Sequence, residues 1–242
     1  MKLASKYYLH NLRNSLLVAF GVILGLSLST GIVFGTISDG EGKYSISGFE
    51  VIFMIFTLVS GLVSFREAFR FFQQNGTSRK SQFWGWTVSL LALSVAESIL
   101  AIVSSRFLGL LFQYNGVFDQ LYGTSHGSFL LLVQEFLWVC MTCLFVGWLG
   151  FAIALLYYRL SKMGKILVSI LVPGTLLILL PAADQYLLQG AYSWLLKQLA
   201  MLMTGYLPGG IYPMVPVVSA LAGSAILAAL SWLMLRRAEV RS

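Results

Sequence analysis

The chain has 242 residues, 58% of them hydrophobic and only 10% charged, with a mean hydropathy of +0.82. A soluble domain carries roughly 25% charged residues, so a single water-soluble core is excluded and lipid is the expected solvent. The net charge of +7 does not read as nucleic-acid binding, because the cations are spread over separate loops and not gathered in one patch.

Six apolar runs are expected to span a bilayer, with edges good to about 3 residues: Leu16–Ile37, Val51–Phe65, Trp84–Ser105, Phe129–Tyr158, Ile166–Ala183 and Tyr212–Leu235. A span needs roughly 20 apolar residues. The second run is short, but Phe49 and the aromatics after Phe65 extend it. The fourth is long enough to tilt or project. The first is too long for a cleaved signal peptide, and five more follow it. Ahead of it, Lys2, Lys6 and Arg13 share one helical face and define an amphipathic segment.

Direction follows from Lys and Arg. Lys2, Lys6, Arg13, Arg66, Arg70, Arg79, Lys80, Arg159, Lys162, Lys165, Arg236, Arg237 and Arg241 fall on one side, which is 13 of the 16 cations; Lys43, Arg106 and Lys197 fall on the other. Both termini are therefore expected in the cytoplasm. The chain reads as one membrane domain, residues 1–242, without internal repeats.

Between the second and third spans lies the basic stretch RFFQQNGTSRKSQF, Arg70 to Phe83. Asn75-Gly76-Thr77 fits a glycosylation sequon, but the expected orientation keeps it inside the cell. Read as a helix, Phe65, Phe69 and Phe72 fall on one face, with Arg66, Arg70 and Gln73 on the other side. Asn75-Gly76 suits a helix end, because Gly tolerates the left-handed conformation, and Thr77 or Ser78 can cap the next helix. Arg79 and Lys80 then sit in that helix's first turn, where the macrodipole disfavours a cation by roughly 0.3–1 kcal/mol each. Something else must favour them, either anionic lipid or an acidic groove on a partner.

Glu97, within SVAESIL of the third span, is the sharpest intramembrane feature. A charge near mid-bilayer costs roughly 2.5–3.5 kcal/mol on insertion scales. Glu135 enters the fourth span from the outside, so the two are expected at one depth in the outer half, lining a pathway for a cationic substrate. The structural alternative is a hydrogen-bonded arrangement with Ser94, Ser98, Gln134 or Arg106. Cys140 and Cys143 read as small apolar packing residues one turn apart, with no disulfide framework or zinc site expected. Pro173-Gly174 is expected to kink the fifth span, and Pro213 and Pro216 to mark the start of the sixth. The apolar, interrupted stretch Ala191 to Gly210 reads as re-entrant or interfacial, with Trp194 and Tyr206 suited to the headgroup level.

Six spans with both ends inside, the short basic elbow after the second, and the string Asn75-Gly76-Thr77-Ser78-Arg79-Lys80 resemble an ABC-2 type transporter permease subunit. The small size and lack of a large outer domain resemble small Gram-positive exporters of membrane-active peptides, such as the bacteriocin-immunity and phenol-soluble modulin exporter permeases. The resemblance covers the whole chain as architecture and only the elbow as sequence. It implies an all-α protein of the bacterial plasma membrane with an amphipathic N-terminal helix and short outer helices between spans five and six. The elbow would be a cytoplasmic coupling helix docking a separate ATPase through Phe69, Arg70, Phe72, Gly76, Ser78, Arg79 and Lys80. A second copy or a paralogous permease would complete the transporter.

The chain itself offers no nucleotide site. A P-loop needs G-x-x-x-x-G-K-[ST]; the nearest stretch, Gly40-Glu41-Gly42-Lys43-Tyr44, lacks the upstream Gly and the hydroxyl. ATP and Mg are expected only in the partner. His10 and His126 are isolated, and no paired carboxylates or nucleophile–base spacing stands out, so no enzyme activity is expected. The expected function is ATP-driven export of amphipathic, antimicrobial or cytolytic peptides, or other hydrophobic compounds. The alternative is an immunity or sensory protein that binds a toxic peptide without moving it.

Overall fold

No proline interrupts the chain from Lys2 to Ile37, and the computed structural model shows one helix there, α1, of 36 residues. It describes residues 2–37, 45–111, 113–123, 129–186 and 189–237. The amphipathic segment expected ahead of the first span is therefore the first turns of that same helix. Ala4, Tyr8, Leu12 and Leu16 recur at helical spacing and are buried, while Lys6, His10 and Arg13 are exposed.

The other long helices are α2 (Phe49–Gln74), α3 (Arg79–Leu111), α5 (Phe129–Arg159), α6 (Lys162–Gly174) and α9 (Met214–Arg236). Shorter ones are α4 (Val117–Tyr122), α7 (Leu180–Tyr186) and α8 (Ala191–Thr204). Among the described residues six helices are long and apolar enough to cross a membrane: Ala4–Leu26, Glu50–Gln74, Arg79–Leu111, Phe129–Arg159, Lys162–Tyr186 and Met214–Arg236. The protein is thus an all-α, multi-pass membrane protein. Four short strands form two pairs. β1 (Ser45–Ser47) runs parallel to β2 (Gln113–Asn115), and β3 (Tyr206–Leu207) pairs antiparallel with β4 (Gly210–Ile211).

α5 is the central helix, packed against α2, α3 and α9. Its contact with α2 depends on glycine. A Cβ on Gly61 would lie 2.5 Å from the Gly147 carbonyl oxygen, and one on Gly150 would meet the Leu58 carbonyl. Small residues let two backbones approach this closely, which is how helices associate in lipid. α1 packs on α3 in the same manner, with Ala4 filling the space beside Gly85.

The segment Lys162–Tyr186 stands apart from this core. Asp184 is the buried residue on it. Ser161 caps its start, accepting from Gly164 N at 3.2 Å. Pro173 cannot donate to the helical ladder, and directly after it Thr175–Leu179 widens into a π-turn. The pitch changes locally there, and the helix continues to Tyr186. Pro213 is the N-cap residue of α9 and Pro216 lies in its first turn, as expected.

The stretch Ala191 to Gly210 forms one 14-residue helix and half of a small hairpin. At 1.5 Å per residue α8 is about 21 Å long, too short to cross roughly 30 Å of hydrocarbon. Its first turn is satisfied by Asp184, which accepts from Tyr192 N (2.9 Å), Ser193 N (3.0 Å) and the Ser193 hydroxyl. The N-cap residue, Gly190, has no side chain to do this. Tyr192 also donates its hydroxyl to the Leu176 carbonyl in the π-turn at 2.7 Å.

Candidate docking face and buried carboxylates

The helix ends flanking the elbow converge on one end of the bundle. Tyr7 of α1 stacks on Phe71 of α2 at 5.0 Å. Arg79 at the start of α3 donates to the main-chain carbonyl of Arg236, at the end of α9. At the opposite end Tyr122 donates to the Thr204 carbonyl at 3.0 Å, and Tyr206 to the Leu121 carbonyl. Partial burial there raises the Tyr122 hydroxyl above its usual pKa.

The turn is built as its sequence suggests. Gly76 has φ +64°. Thr77 N donates to the Phe72 carbonyl at 2.8 Å and Gly76 N to the Gln73 carbonyl at 3.2 Å, the two bonds of a Schellman motif. Of the two possible caps, Ser78 is the one used, accepting from Ser81 N at 3.2 Å.

Two expectations about this elbow need correction. First, the coupling helix implied by the resemblance is no separate element, and residues 65 to 83 are divided between two long helices. They are the end of α2, a four-residue turn from Asn75 to Ser78, and the start of α3. Nothing in the sequence between Phe49 and Gln74 breaks the helix, so it runs through. Second, Phe69 and Phe72 are not surface anchors. They are 0% and 2% exposed, because their face is the one that α5 and α1 cover. Phe69 meets Tyr158 at 5.4 Å, and Phe72 meets Tyr8 at 5.5 Å. Phe71, one residue along, is 45% exposed. Arg70, Gly76, Ser78 and Lys80 are exposed, and Arg79 is half-buried. Arg79 does not need an outside partner to offset the start of α3. Its guanidinium sits at the C-terminal end of α9, where the macrodipole favours a cation.

Beside this turn is a cavity of about 980 Å³ between the first turns of α1 and the end of α2. Its lining includes Lys6, His10 and Arg13 from α1 with Phe71 and Asn75 from α2.

The two intramembrane carboxylates are in separate places. Glu97 is fully buried and accepts from the Thr57 hydroxyl of α2 at 2.5 Å, with the Cys143 thiol of α5 beside it. Glu135 lies two turns earlier on α5, about 12 Å along the axis. It is 4% exposed and pairs with Arg106 at 3.4 Å, the one ion pair among the described residues. The shared depth expected for the two does not hold. Of the local partners anticipated for Glu97, Ser98 bonds back to the Ser94 carbonyl at 2.8 Å, Arg106 belongs to Glu135, and the buried Ser94 hydroxyl makes no hydrogen bond. Intrahelical spacing was the wrong guide, because the nearest hydroxyl is on the neighbouring helix.

Two buried acids were not singled out from sequence. Glu50, at the start of α2, accepts from the Tyr114 hydroxyl (3.0 Å) and Val117 N (3.4 Å). Asp184 caps α8. In both cases the available signal was an acid at the edge of an apolar run, next to glycines that cannot supply a cap. Cys140 and Cys143 are free and buried, and the described residues contain no group of three or more His, Cys, Asp or Glu that could hold a metal ion. No family model matches this sequence, and no curated protein or solved structure shows significant similarity to it.

Proposed function

We propose that this chain is the membrane-spanning subunit of an ATP-driven exporter in the bacterial plasma membrane. ATP and Mg belong to a separate cytoplasmic ATPase. The observation that carries this reading is the exposed turn Asn75–Ser78, flanked by exposed Arg70, Phe71 and Lys80 at the end of the bundle where α1 begins and α9 ends. A tight turn locked by a Schellman motif and a serine cap is a rigid lever, suited to transmitting a push from a partner into α2 and α3 together. One apolar aromatic with basic groups at its rim matches the anatomy of a protein interface. Phe71 takes over the docking role first assigned to Phe69 and Phe72, beside Arg70 and Lys80. Gly76 and Ser78 shape the turn.

The helix Lys162–Tyr186, with Asp184 its buried residue, leaves a full apolar face for a second copy or a paralogous permease. Amphipathic or cytolytic peptides and other hydrophobic compounds remain the substrates the resemblance implies. The second reading, binding a toxic peptide without transport, draws on one observation: Glu97 and Glu135 are engaged inside the bundle and do not face an open pathway.

Purification in mild detergent from the native cells, with a search of the eluate for a bound ATPase, separates the two readings. Co-elution of the ATPase with wild type, and its loss from Phe71→Ala/Lys80→Ala, supports the exporter. A wild-type chain that never captures an ATPase refutes it.

A further inference from the structure

We infer that the cavity between α1 and the elbow is a binding site for one anionic phospholipid of the inner leaflet. The inference rests on the proposed orientation, with the elbow in the cytoplasm, and not on the ATPase. Lys6, His10 and Arg13 lie at i, i+4 and i+7, so one face of α1 carries three basic side chains into the cavity. All three are exposed. Among the described residues none of them contacts a carboxylate, since the one ion pair is Arg106–Glu135. The α2 side supplies Phe71, stacked on Tyr7, and Asn75 at the mouth.

The polarity of the site changes along the helix axis. One turn past Arg13 the same face continues as Leu17, which is 59% exposed, next to Val18 at 68%. A basic stretch about 10 Å long therefore leads directly onto bare hydrocarbon. That is the profile of an amphiphile seated upright, with phosphate at Lys6, His10 and Arg13 and acyl chains along Leu17 and Val18. An acidic peptide from a soluble partner would match the basic part and leave the apolar continuation uncovered. Anionic lipids concentrate at the cytoplasmic leaflet, where each nearby Lys or Arg strengthens binding about fivefold.

The test uses the full chain in nanodiscs of phosphatidylcholine doped with phosphatidylglycerol, released into native mass spectrometry so that retained lipids are counted. Wild type should retain phosphatidylglycerol in preference to phosphatidylcholine. Lys6→Gln/Arg13→Gln should weaken that preference roughly 25-fold, and Lys6→Arg/Arg13→Lys should restore it. Lys80→Gln, an elbow cation outside the cavity, should leave it intact. Both altered positions are exposed, so the variants should keep wild-type helicity, checked by circular dichroism. Unchanged phosphatidylglycerol retention in the double variant overturns the site. So does an equal loss in Lys80→Gln, which would indicate general surface charge. Full competition by free glycerol phosphate overturns the lipid as occupant in favour of a phosphate-only site. None of these readouts involves an ATPase, and a cysteine at position 78 that is labelled from outside the cell would separately expose a wrong orientation.

Discussion

The Thr57 hydroxyl and the Glu97 carboxyl meet at 2.5 Å across the contact between α2 and α3, both fully buried. Removing the hydroxyl leaves a buried acceptor without its partner, which costs about 1–3 kcal/mol. Thr57→Val should therefore lower thermal stability in mild detergent more than Glu97→Gln, which keeps an acceptor for the threonine. Thr57→Val/Glu97→Leu should recover part of the loss, because neither polar group is then stranded. A Glu97→Gln variant with wild-type stability but reduced export would instead return Glu97 to the substrate pathway.

Gly61 and Gly150 set the distance between α2 and α5. A side chain at either position meets backbone, which cannot move aside as a flexible side chain does. Gly150→Val should destabilise the bundle by about 1–3 kcal/mol or more, and Gly21→Val, where nothing lies within 4 Å, should not. Denaturation midpoints of the two variants in the same detergent decide this, with equal midpoints counting against the close helix contact.

Arg79 and Lys80 are neighbours with different tasks. Arg79 tethers the end of α9, whereas Lys80 is exposed. Loss of a cation at a helix C-terminus costs about 0.3–1 kcal/mol. Arg79→Ala should lower stability by that order and loosen the final turns of α9 in hydrogen exchange. Lys80→Ala should leave stability unchanged and, in the presence of the proposed ATPase, slow association in a salt-dependent way. Identical behaviour of the two would remove the distinction.

Asp184 holds the first turn of α8 across the short connection from α7. Asp184→Ala should raise amide exchange at Tyr192 and Ser193 while leaving the core helices α2, α3 and α5 protected. Uniform loss of protection would mean that α8 is coupled to the whole bundle.

The orientation is open to cysteine labelling with reagents that do not cross the membrane. Tyr122→Cys should react in intact cells, and Ser78→Cys and Ser161→Cys should stay protected until the cells are opened. Reaction at position 78 from outside would reverse the assignment and remove the elbow from the cytoplasm.

The number of spans, the break at Asn75-Gly76 and the caps around it were legible in the sequence, because hydrophobic runs and turn chemistry are local properties of the chain. The Gly76 φ of +64°, the Ser78 cap and Pro213 at the head of α9 all sit where residue type alone suggested. The face that Phe65, Phe69 and Phe72 share was legible too, but not what covers it. An aromatic stripe looks the same whether it meets a partner protein or its own α5 and α1. The partners of Glu97, Glu135 and Arg79 were likewise out of reach, since each lies at least 29 positions away in the chain. Spacing along a helix says which side chains share a face. Only the packing of one helix on another decides which of them meet, and here that packing was set by glycines at positions 61 and 150, where the absence of a side chain lets two backbones touch.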